Sequence, residues 1–294
     1  MPPPPPPFFG PGGPCRIATY YQTQDLKDGA HVSLLPLLGS AITHVYVAAI
    51  HINDPPGNIT LNDDPPDSPK YAKCWKEVAA LQGSGIKVLG MLGGAAHGSF
   101  KRLDGDDKKF ESYYACLKDM IKDFSLDGLD LDVEEAMSLD GIIRLIDRLK
   151  LDFGDHFLVT LAPVKPALTG GKNLSGFDYH KLEKSRGSKI AWYNAQFYCG
   201  WGNMATADDY EQIMKAGWPP EKVVAGLLTN PANCSSGYVE MTTVMAVIAE
   251  LVRKYPEFGG VAGWEYFNSM PGGEKLPWEW VESMKIAVEM GAHC

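Results

Sequence analysis

The sequence predicts an α/β protein folded as a (β/α)8 barrel, and three observations support this prediction. Eight short apolar or β-branched runs alternate with segments of helical length and amphipathic pattern, which is typical of repeated strand–helix units. The length of 294 residues matches the usual size of a TIM barrel. An open doubly wound sheet normally carries a glycine-rich phosphate loop after its first strand, whereas the segment after Tyr21 reads QTQDLKDG.

The eight predicted strands are residues 16–21, 42–50, 86–92, 128–133, 157–162, 190–197, 223–228 and 260–266. The predicted helices include residues 71–81, 110–124, 139–153, 207–216, 242–255 and 277–290. In such barrels the active site lies at the C-terminal ends of the strands, where the strand-to-helix loops meet. We therefore expect the functional side chains at or just beyond these ends.

The chain is predicted to divide into a short tract and one large domain. Residues 1–14 are rich in proline and glycine, which predicts an extended polyproline or disordered tract outside the fold. Residues 15–294 are predicted to form the barrel. Between the seventh and eighth strands lie only residues 229–259, which leaves room for one helix and its loops but not for an inserted α+β subdomain.

Composition and charge exclude several classes of protein. Hydrophobic residues make up 45% of the chain and charged residues 21%, as in ordinary globular proteins. The net charge of −9 argues against nucleic acid or an anionic membrane as a partner, because both require a basic surface. No apolar run approaches the ~20 residues of a membrane span. Residues 1–13 lack the features of a signal peptide, so we expect a cytoplasmic protein as written, or an extracellular one if a leader has been removed.

The six cysteines leave that compartment open. Three pairs would lie near each other in a barrel: Cys15 with Cys294 at the bottom, Cys74 with Cys116 on neighbouring helices, and Cys199 with Cys234 on neighbouring upper loops. Three disulfides, together with the glycosylation sequons at Asn58, Asn173 and Asn233, would favour secretion. Six free thiols are the alternative.

A row of carboxylates on the fourth predicted strand is the strongest functional signal. Alternation along a strand places Asp130, Asp132 and Glu134 on one face, and an apolar set, Leu129, Leu131 and Val133, on the other. Adjacent carboxylates in a low-dielectric site raise one another's pKa, which makes such a row costly. Proteins keep such clusters mostly at functional sites.

Two other interpretations of this stretch fit less well. A solvated helix would place Leu131 among the acidic side chains and would have Gly128 in its interior. A calcium loop of the EF-hand type requires a glycine where Glu135 stands and a bidentate glutamate where Gly141 stands.

The spacing Asp127-x-x-Asp130-x-Asp132-x-Glu134 resembles the DxxDxDxE signature of glycoside hydrolase family 18. This family comprises chitinases, endo-β-N-acetylglucosaminidases and some inactive lectins. The resemblance extends over nearly all of the chain from Arg16 onward, and it implies a single catalytic barrel. It also implies that no cofactor and no metal are required.

The resemblance implies a role for each residue of the signature. Glu134 would be the general acid and base, and Asp132 would orient and stabilise the reacting acetamido group of the substrate. Asp130 would share a proton with Asp132, and Asp127 would cap the row and belongs to the expected substrate-binding residues. Tyr198 would complete the catalytic group by holding the acetamido oxygen.

Other strand ends contribute further expected site residues. Gly93 and Gly94 occupy the place of the family's SxGG motif, although Met91 replaces its serine and Asp130 must then find another partner. On the sixth strand, Asn194, Gln196 and Tyr198 share one face. This Asn-x-Gln-x-Tyr pattern resembles the endo-β-N-acetylglucosaminidases rather than the chitinases.

Two aromatic residues complete the expected site. Trp264 on the eighth strand corresponds to the tryptophan that forms the floor of the family's sugar subsite, and Tyr20 on the first strand lines the same subsite. In isolation, Trp264 would be interpreted as core packing.

The resemblance favours an endo-β-N-acetylglucosaminidase that hydrolyses the GlcNAc-β-1,4-GlcNAc core of N-glycans by a retaining, substrate-assisted mechanism. A chitinase that acts on the β-1,4-GlcNAc polymer is the alternative, and an inactive lectin is a third hypothesis. The expected partner is an N-glycan or N-glycoprotein, with no nucleic acid or membrane, and the expected state is a monomer.

Overall fold

The centre of the molecule is a closed barrel of eight parallel strands, seen in a computed structural model that describes residues 9–10 and 13–292. Each strand pairs with the next in sequence, and the last pairs with the first. In chain order, β1 to β8 are Arg16–Tyr21, His44–Asn53, Lys87–Gly93, Gly128–Asp132, Leu158–Leu161, Trp192–Gln196, Val223–Leu228 and Gly260–Trp264. The predicted (β/α)8 barrel is confirmed.

The part of the chain that the structure describes also contains eight α-helices, most of which pack around the barrel. They are α1 to α8, namely Ala72–Gly83, Ser99–Leu103, Asp107–Asp123, Leu139–Phe153, Tyr179–Arg186, Asp208–Lys215, Met241–Lys254 and Glu279–Ala292. None of them is long and apolar enough to cross a membrane. All six helices predicted from the sequence are present within a few residues of their predicted bounds.

Among the α-helices and strands of residues 15–292, two helices and one strand were not predicted. The helices α2 and α5 are short, and α5 buries only Tyr179 and Leu182, so its sequence carries little helical periodicity. The strand Asn58–Leu61 folds back antiparallel onto the end of β2. Its pairing extends the rim of the barrel beside the first loops.

The buried apolar side chains form two clusters. The larger cluster lies between the strands and the surrounding helices. The smaller cluster lies inside the barrel and consists of Ala18, Tyr20, Tyr46, Ala48, Ala49, Leu89, Met91, Trp192, Val224 and Ala262. The barrel interior is therefore filled, and space for a ligand is left to the mouth.

The bottom of the barrel is closed by an arginine. The guanidinium carbon of Arg16 lies 4.2 Å from the centre of the Trp192 ring, and Nη1 donates to the carbonyl oxygens of Glu221 and Gly259 at 2.9 and 3.1 Å. A cation over an indole face is favourable when both are shielded from water. The lower opening is thus packed rather than open.

Close packing of β4 against β5 depends on Gly128. A Cβ atom at this position would lie 2.3 Å from the carbonyl oxygen and 2.7 Å from the Cβ of Leu158, distances that backbone atoms do not tolerate. Glycine therefore permits the fourth strand, which carries the acidic row, to pair in register with its neighbour.

One of the three expected disulfides is present, and one expected pair is wrong. Cys199 and Cys234 form a disulfide, as predicted. Cys74 and Cys116 are free thiols. The buried Cys74 lies near Glu77 beneath the first loop, whereas the Cys116 thiol donates to its own helix at the carbonyl of Tyr113, so the two do not meet. The pair Cys15–Cys294 depends on a residue outside the described part of the chain.

The three sequons differ in accessibility. Asn58 is exposed and its amide nitrogen donates to the carbonyl of Asp54 at 3.0 Å, whereas Asn173 and Asn233 are half-buried. The amide nitrogen of Asn173 donates to the carbonyl of Phe177, and that of Asn233 donates to Thr229 and Trp264. Of the predicted N-terminal tract, only residues 9–10 and 13–14 are described, and they form a short antiparallel pair. Disorder of residues 1–14 remains a prediction.

Replacing Gly128 with alanine tests the packing of β4. Because the added methyl group overlaps backbone atoms of β5, we expect Gly128→Ala to lower the free energy of unfolding by at least about 2 kcal/mol, measured by denaturant titration. Gly83→Ala is the matched control, since a Cβ there meets no atom within 4 Å at the end of α1. It should leave stability unchanged or raise it by up to about 1 kcal/mol. Equal effects of both changes would contradict this account.

Candidate active site

The acidic row of β4 rises from the barrel interior to its mouth, as the alternation predicts. Asp130 is fully buried and Asp132 is 6% exposed. Glu134 lies two residues beyond the end of the strand and is half-buried. Of the three carboxyls, Glu134 is the one that is open to the mouth.

Three neutral donors surround the deepest carboxylate. The Tyr20 hydroxyl donates to Asp130 Oδ2 at 2.8 Å, and the Thr160 hydroxyl and Asn194 amide donate to Oδ1 at 2.5 and 3.1 Å. Burial raises the pKa of Asp130 to about 6, against these hydrogen bonds, which lower it. Met91 lies beside Asp130 in the register of β3 and β4, so the partner that a serine there would supply is replaced by these three.

The amide of Asn194 is fixed by two aromatic side chains. Its Oδ1 accepts hydrogen bonds from the indole nitrogen of Trp192 at 3.1 Å and from the hydroxyl of Tyr46 at 3.2 Å. Because the oxygen is occupied on this side, the amide nitrogen points to Asp130. Tyr46, Trp192 and Thr160 were not singled out in the sequence, where they are indistinguishable from core residues.

Gln196 joins the two upper carboxyls. Its amide nitrogen lies 3.1 Å from Asp132 Oδ1, 3.2 Å from Glu134 Oε1 and 3.0 Å from the carbonyl oxygen of Ala162. Burial, followed by the charges of Glu134 and Asp130, raises the pKa of Asp132 well above its usual value, and the hydrogen bond from Gln196 lowers it. Asp132 therefore favours its protonated form over a second buried charge beside Asp130.

Two glycines permit the close approach of β3 to the row. A Cβ on Gly93 would lie 2.5 Å from the carbonyl oxygen of Asp132, and Gly93 has a φ of +96°. The Gly94 amide donates to the same carbonyl at 2.9 Å, and a Cβ on Gly94 would lie 3.6 Å from Asp132 Oδ2. These contacts place both glycines in the site, where the sequence predicted them.

Aromatic side chains line the mouth. The rings of Trp264 and Tyr20 meet edge to face, with centroids 5.4 Å apart, and Trp264 is half-buried. Burial and the charges of Asp132 and Glu134 raise the pKa of the Tyr198 hydroxyl well above its usual value. Tyr198 therefore stays protonated, and its hydroxyl remains a donor.

Asp127 lies elsewhere, and its inclusion among the substrate-binding residues is not supported by its position. It precedes β4 at the opposite end of the barrel and accepts hydrogen bonds from Lys87 Nζ at 2.9 Å and from Gln82 Nε2 at 3.0 Å. It also accepts from the backbone amide of Val88 at 2.9 Å. Burial raises the pKa of the Asp127 carboxyl, but these donors together have the larger effect and hold the pKa below its usual value. Its role is to join β3 and β4 at the bottom, which fits the structural cap also predicted for it.

The loop that bears Glu134 is anchored on both sides. The next residue, Glu135, accepts hydrogen bonds from the amides of Gly98 and Phe100 at 2.7 and 2.9 Å. The Ser175 hydroxyl donates to the carbonyl of the preceding residue, Val133, at 2.7 Å. These anchors were missed in the sequence, because they join segments that are about 40 residues apart.

The arrangement defines what chemistry the site can perform. One half-buried carboxyl can reach a bound molecule, a second is buried and hydrogen-bonded behind it, and a protonated phenol lies nearby. An aromatic face provides a flat surface on which a sugar ring can stack. Such a site can transfer a proton and stabilise positive charge next to it.

Comparisons with known proteins agree with this geometry. Residues 16–236 match the family described as Glycosyl hydrolases family 18. The chain is 28% identical to Chitinase 2 of Rhizopus oligosporus over 215 residues, which cover 67% of this chain and 37% of that protein. The chain therefore spans well under half the length of that relative. Endochitinase 4 of Metarhizium anisopliae is 25% identical over 207 residues, which cover 63% of this chain and 72% of that protein.

Solved structures match over nearly the whole chain. The chitinase ChiC from Aspergillus fumigatus is 57% identical with a TM-score of 0.86, and the match covers 93% of this chain and 99% of that chain. A fungal endo-beta-N-acetylglucosaminidase from glycosyl hydrolase family 18 is 47% identical with a TM-score of 0.90, covering 94% and 99%.

The raised pKa of Asp132 makes a prediction about stability. Because the pKa of Asp132 is higher in the folded protein than in the unfolded chain, where it is about 4, protonation of Asp132 stabilises the fold. This stabilisation is complete below pH 4 and is lost as the pH rises through the folded-state pKa. In Asp132→Asn the titration is absent, and the acceptor for Gln196 is kept. The free energy of unfolding of the wild type should therefore fall relative to this variant between pH 4 and 8, by up to about 1.4 kcal/mol per pH unit.

Denaturant titrations at four pH values measure this difference. Asp119→Asn, at an exposed position of α3, is the control and should keep the wild-type pH dependence. A constant difference between the wild type and Asp132→Asn across the range would show that Asp132 titrates normally.

Proposed function

Because the chain belongs to glycosyl hydrolase family 18, we propose that it is an endo-β-N-acetylglucosaminidase that cleaves the GlcNAc-β-1,4-GlcNAc core of N-glycans. The reaction retains the configuration at the anomeric carbon. The observation that carries this proposal is the Gln196 amide, which contacts both Asp132 and Glu134 from an Asn-x-Gln-x-Tyr strand. This strand pattern resembles that of the endo-β-N-acetylglucosaminidases.

Glu134 acts as the general acid. Family 18 is an exception to hydrolysis by two carboxylates, because the 2-acetamido group of the substrate supplies the nucleophile. Glu134 donates its proton to the glycosidic oxygen as the bond to the anomeric carbon breaks. Its place at the mouth, beyond the end of β4, suits this contact with the leaving group.

Asp132 and Tyr198 act on the acetamido group. Asp132 accepts a hydrogen bond from the acetamido N–H, so that the carbonyl oxygen turns towards the anomeric carbon and forms the oxazolinium ion. The negative charge of Asp132 stabilises the positive ion, and the Tyr198 hydroxyl donates to the acetamido oxygen. Glu134, now ionised, takes a proton from water as the water opens the ring, which restores the starting enzyme.

The deeper Asp130 adjusts the charge of Asp132. The two aspartates occupy successive positions on the inner face of β4, and both are buried. Repulsion between them favours a proton on one of the pair, and formation of a cation beside Asp132 moves that proton towards Asp130. Three hydrogen-bond donors stabilise the ionised form of Asp130, which burial disfavours.

A chitinase is the second candidate, and a specific observation favours it. The chitinase ChiC has the higher identity of the two solved structures described above, 57% against 47%. Both activities cleave the same linkage and use the same acid and acetamido group, so they differ in what the groove accepts on either side. An inactive lectin is less compatible with this chain, because Glu134 is present.

Mass spectrometry of the reaction products tests the proposal. The protein is incubated with a ribonuclease that carries a high-mannose N-glycan and, in parallel, with chitopentaose. We expect a ribonuclease that retains a single GlcNAc residue. Cleavage of chitopentaose alone would assign the protein as a chitinase, and cleavage of neither substrate between pH 4 and 8 would favour the lectin.

Replacing Glu134 with glutamine tests the assigned acid. Glutamine keeps the shape but cannot donate the proton, so we expect kcat to fall by about 10²–10⁴-fold or more on the substrate that the wild type cleaves. Glu257→Gln is the control, since Glu257 is exposed and precedes β8 at the bottom of the barrel. A Glu134→Gln variant with near-wild-type kcat would mean that another residue is the acid.

A further inference from the structure

The Tyr198 side chain is buried and lies on the turn that follows β6. Tyr198 lies two residues beyond Gln196, the last residue of β6. The residue after Tyr198, Cys199, has a φ of 56°. This left-handed backbone is unfavourable for a residue other than glycine and persists only where the surroundings enforce it. Something outside the turn must therefore stabilise it.

The segment of residues 233–237, which we call the clamp segment, packs directly on this turn. Gly237 has a φ of +97°, and a Cβ there would lie 2.5 Å from Cα and 2.9 Å from Cβ of Tyr198. The amide of Cys199 donates to the carbonyl of Ser236 at 2.9 Å. The segment thus contacts Tyr198 at the base of its side chain.

The other end of the clamp segment is tied to the barrel. The side-chain amide nitrogen of Asn233 lies 3.0 Å from the carbonyl oxygen of Trp264 and 3.2 Å from the hydroxyl of Thr229. Its Oδ1 accepts a hydrogen bond of 2.7 Å from Asn268. The segment therefore starts from a fixed point at the ends of β7 and β8.

Between these two ends, the disulfide is the main connection. Cys234 bonds to Cys199, the residue that follows Tyr198, and both cysteines are half-buried. Within the described residues, a single hydrogen bond, from Cys199 to Ser236, links residues 234–239 to the rest of the chain. With a single hydrogen bond to the rest of the chain, this segment opens locally more easily once the covalent link is cut.

We propose that the Cys199–Cys234 disulfide and the clamp segment position the Tyr198 hydroxyl for the acetamido group, so that Cys199, Cys234 and Gly237 are positioning residues for catalysis. The inference rests on the proposed function of Tyr198. Dithiothreitol reduces the disulfide to two thiols and is itself oxidised to its cyclic disulfide. Cys199 then relaxes from its left-handed backbone conformation, and the Tyr198 hydroxyl moves out of hydrogen-bonding reach of the acetamido oxygen.

Steady-state kinetics of oxidised and reduced protein test the proposal. We expect reduction, and equally the double variant Cys199→Ser/Cys234→Ser, to lower kcat at least tenfold while KM changes less than twofold. In a Tyr198→Phe background, reduction and the double variant should each lower kcat less than twofold, because the hydroxyl that the disulfide positions is absent. An equal fold-loss in both backgrounds, or no loss on reduction, would overturn the proposal.

Two controls separate this effect from loss of folding. Cys116→Ser removes a free thiol, keeps the disulfide and should retain the full response to reductant. The double variant itself should be insensitive to reductant. If it does not fold, the reduced wild type, assayed at a temperature where near-ultraviolet circular dichroism shows native packing, supplies the same comparison.

Hydrogen exchange supplies a readout that is independent of activity. The amide of Cys199 should exchange at least tenfold faster after reduction, because its acceptor, Ser236, is released. Unchanged exchange would overturn the proposal even in an active enzyme. If the oxidised wild type cleaves neither ribonuclease nor chitopentaose, the proposed function fails, and the exchange rate still decides whether the clamp exists.

Discussion

The site depends on the burial of Asp130 and Asp132 on the inner face of β4, with a third carboxyl, that of Glu134, two residues beyond the end of the strand. Each carboxylate that leaves water must recover its lost hydration from hydrogen bonds or give up its charge to a proton. In this barrel both solutions are used. Asp130 has three neutral donors and a pKa raised to about 6, and Asp132 has one amide donor and two acidic neighbours. The packing of the barrel therefore favours the protonated forms of Asp130 and Asp132 more than water would.

The same requirement explains the unusual interior of the barrel. An interior of aliphatic residues would leave the row unsatisfied, so donors occupy several inward positions: Tyr20 on β1, Thr160 on β5 and Asn194 on β6. The orientation of each donor must also be held. Tyr46 and Trp192 hold the amide of Asn194 by donating hydrogen bonds to its Oδ1. Arg16 below Trp192 completes the packing, so the interior is a connected polar and aromatic network from the bottom to the mouth.

At the mouth, the functional groups are positioned by their neighbours in sequence rather than by the strands themselves. Glu135 fixes the loop of Glu134 through two backbone amides, and Glu265 accepts hydrogen bonds from the backbone and hydroxyl of Thr23 at 2.8 and 2.9 Å beside Trp264. Cys199, the residue after Tyr198, is likewise linked to another loop, through its disulfide with Cys234. Glu134, Trp264 and Tyr198 thus each have a neighbour in sequence that links their loop to another segment of the chain.

The features that depend on local periodicity are predictable from the amino-acid sequence. The alternation on β4 placed Asp130, Asp132 and Glu134 on one face, and the alternation on β6 placed Asn194, Gln196 and Tyr198 together. The succession of eight strand–helix units determined the barrel. The tertiary structure alone decided which side chains meet across strands. Thr160, Tyr46 and Trp192 read as core residues until the register is known, and the expected Cys74–Cys116 pair fails because neighbouring helices can direct their thiols to different surroundings. Periodicity reports the face of an element, whereas contact depends on register, rotation and rotamer, which arise only when the elements pack together.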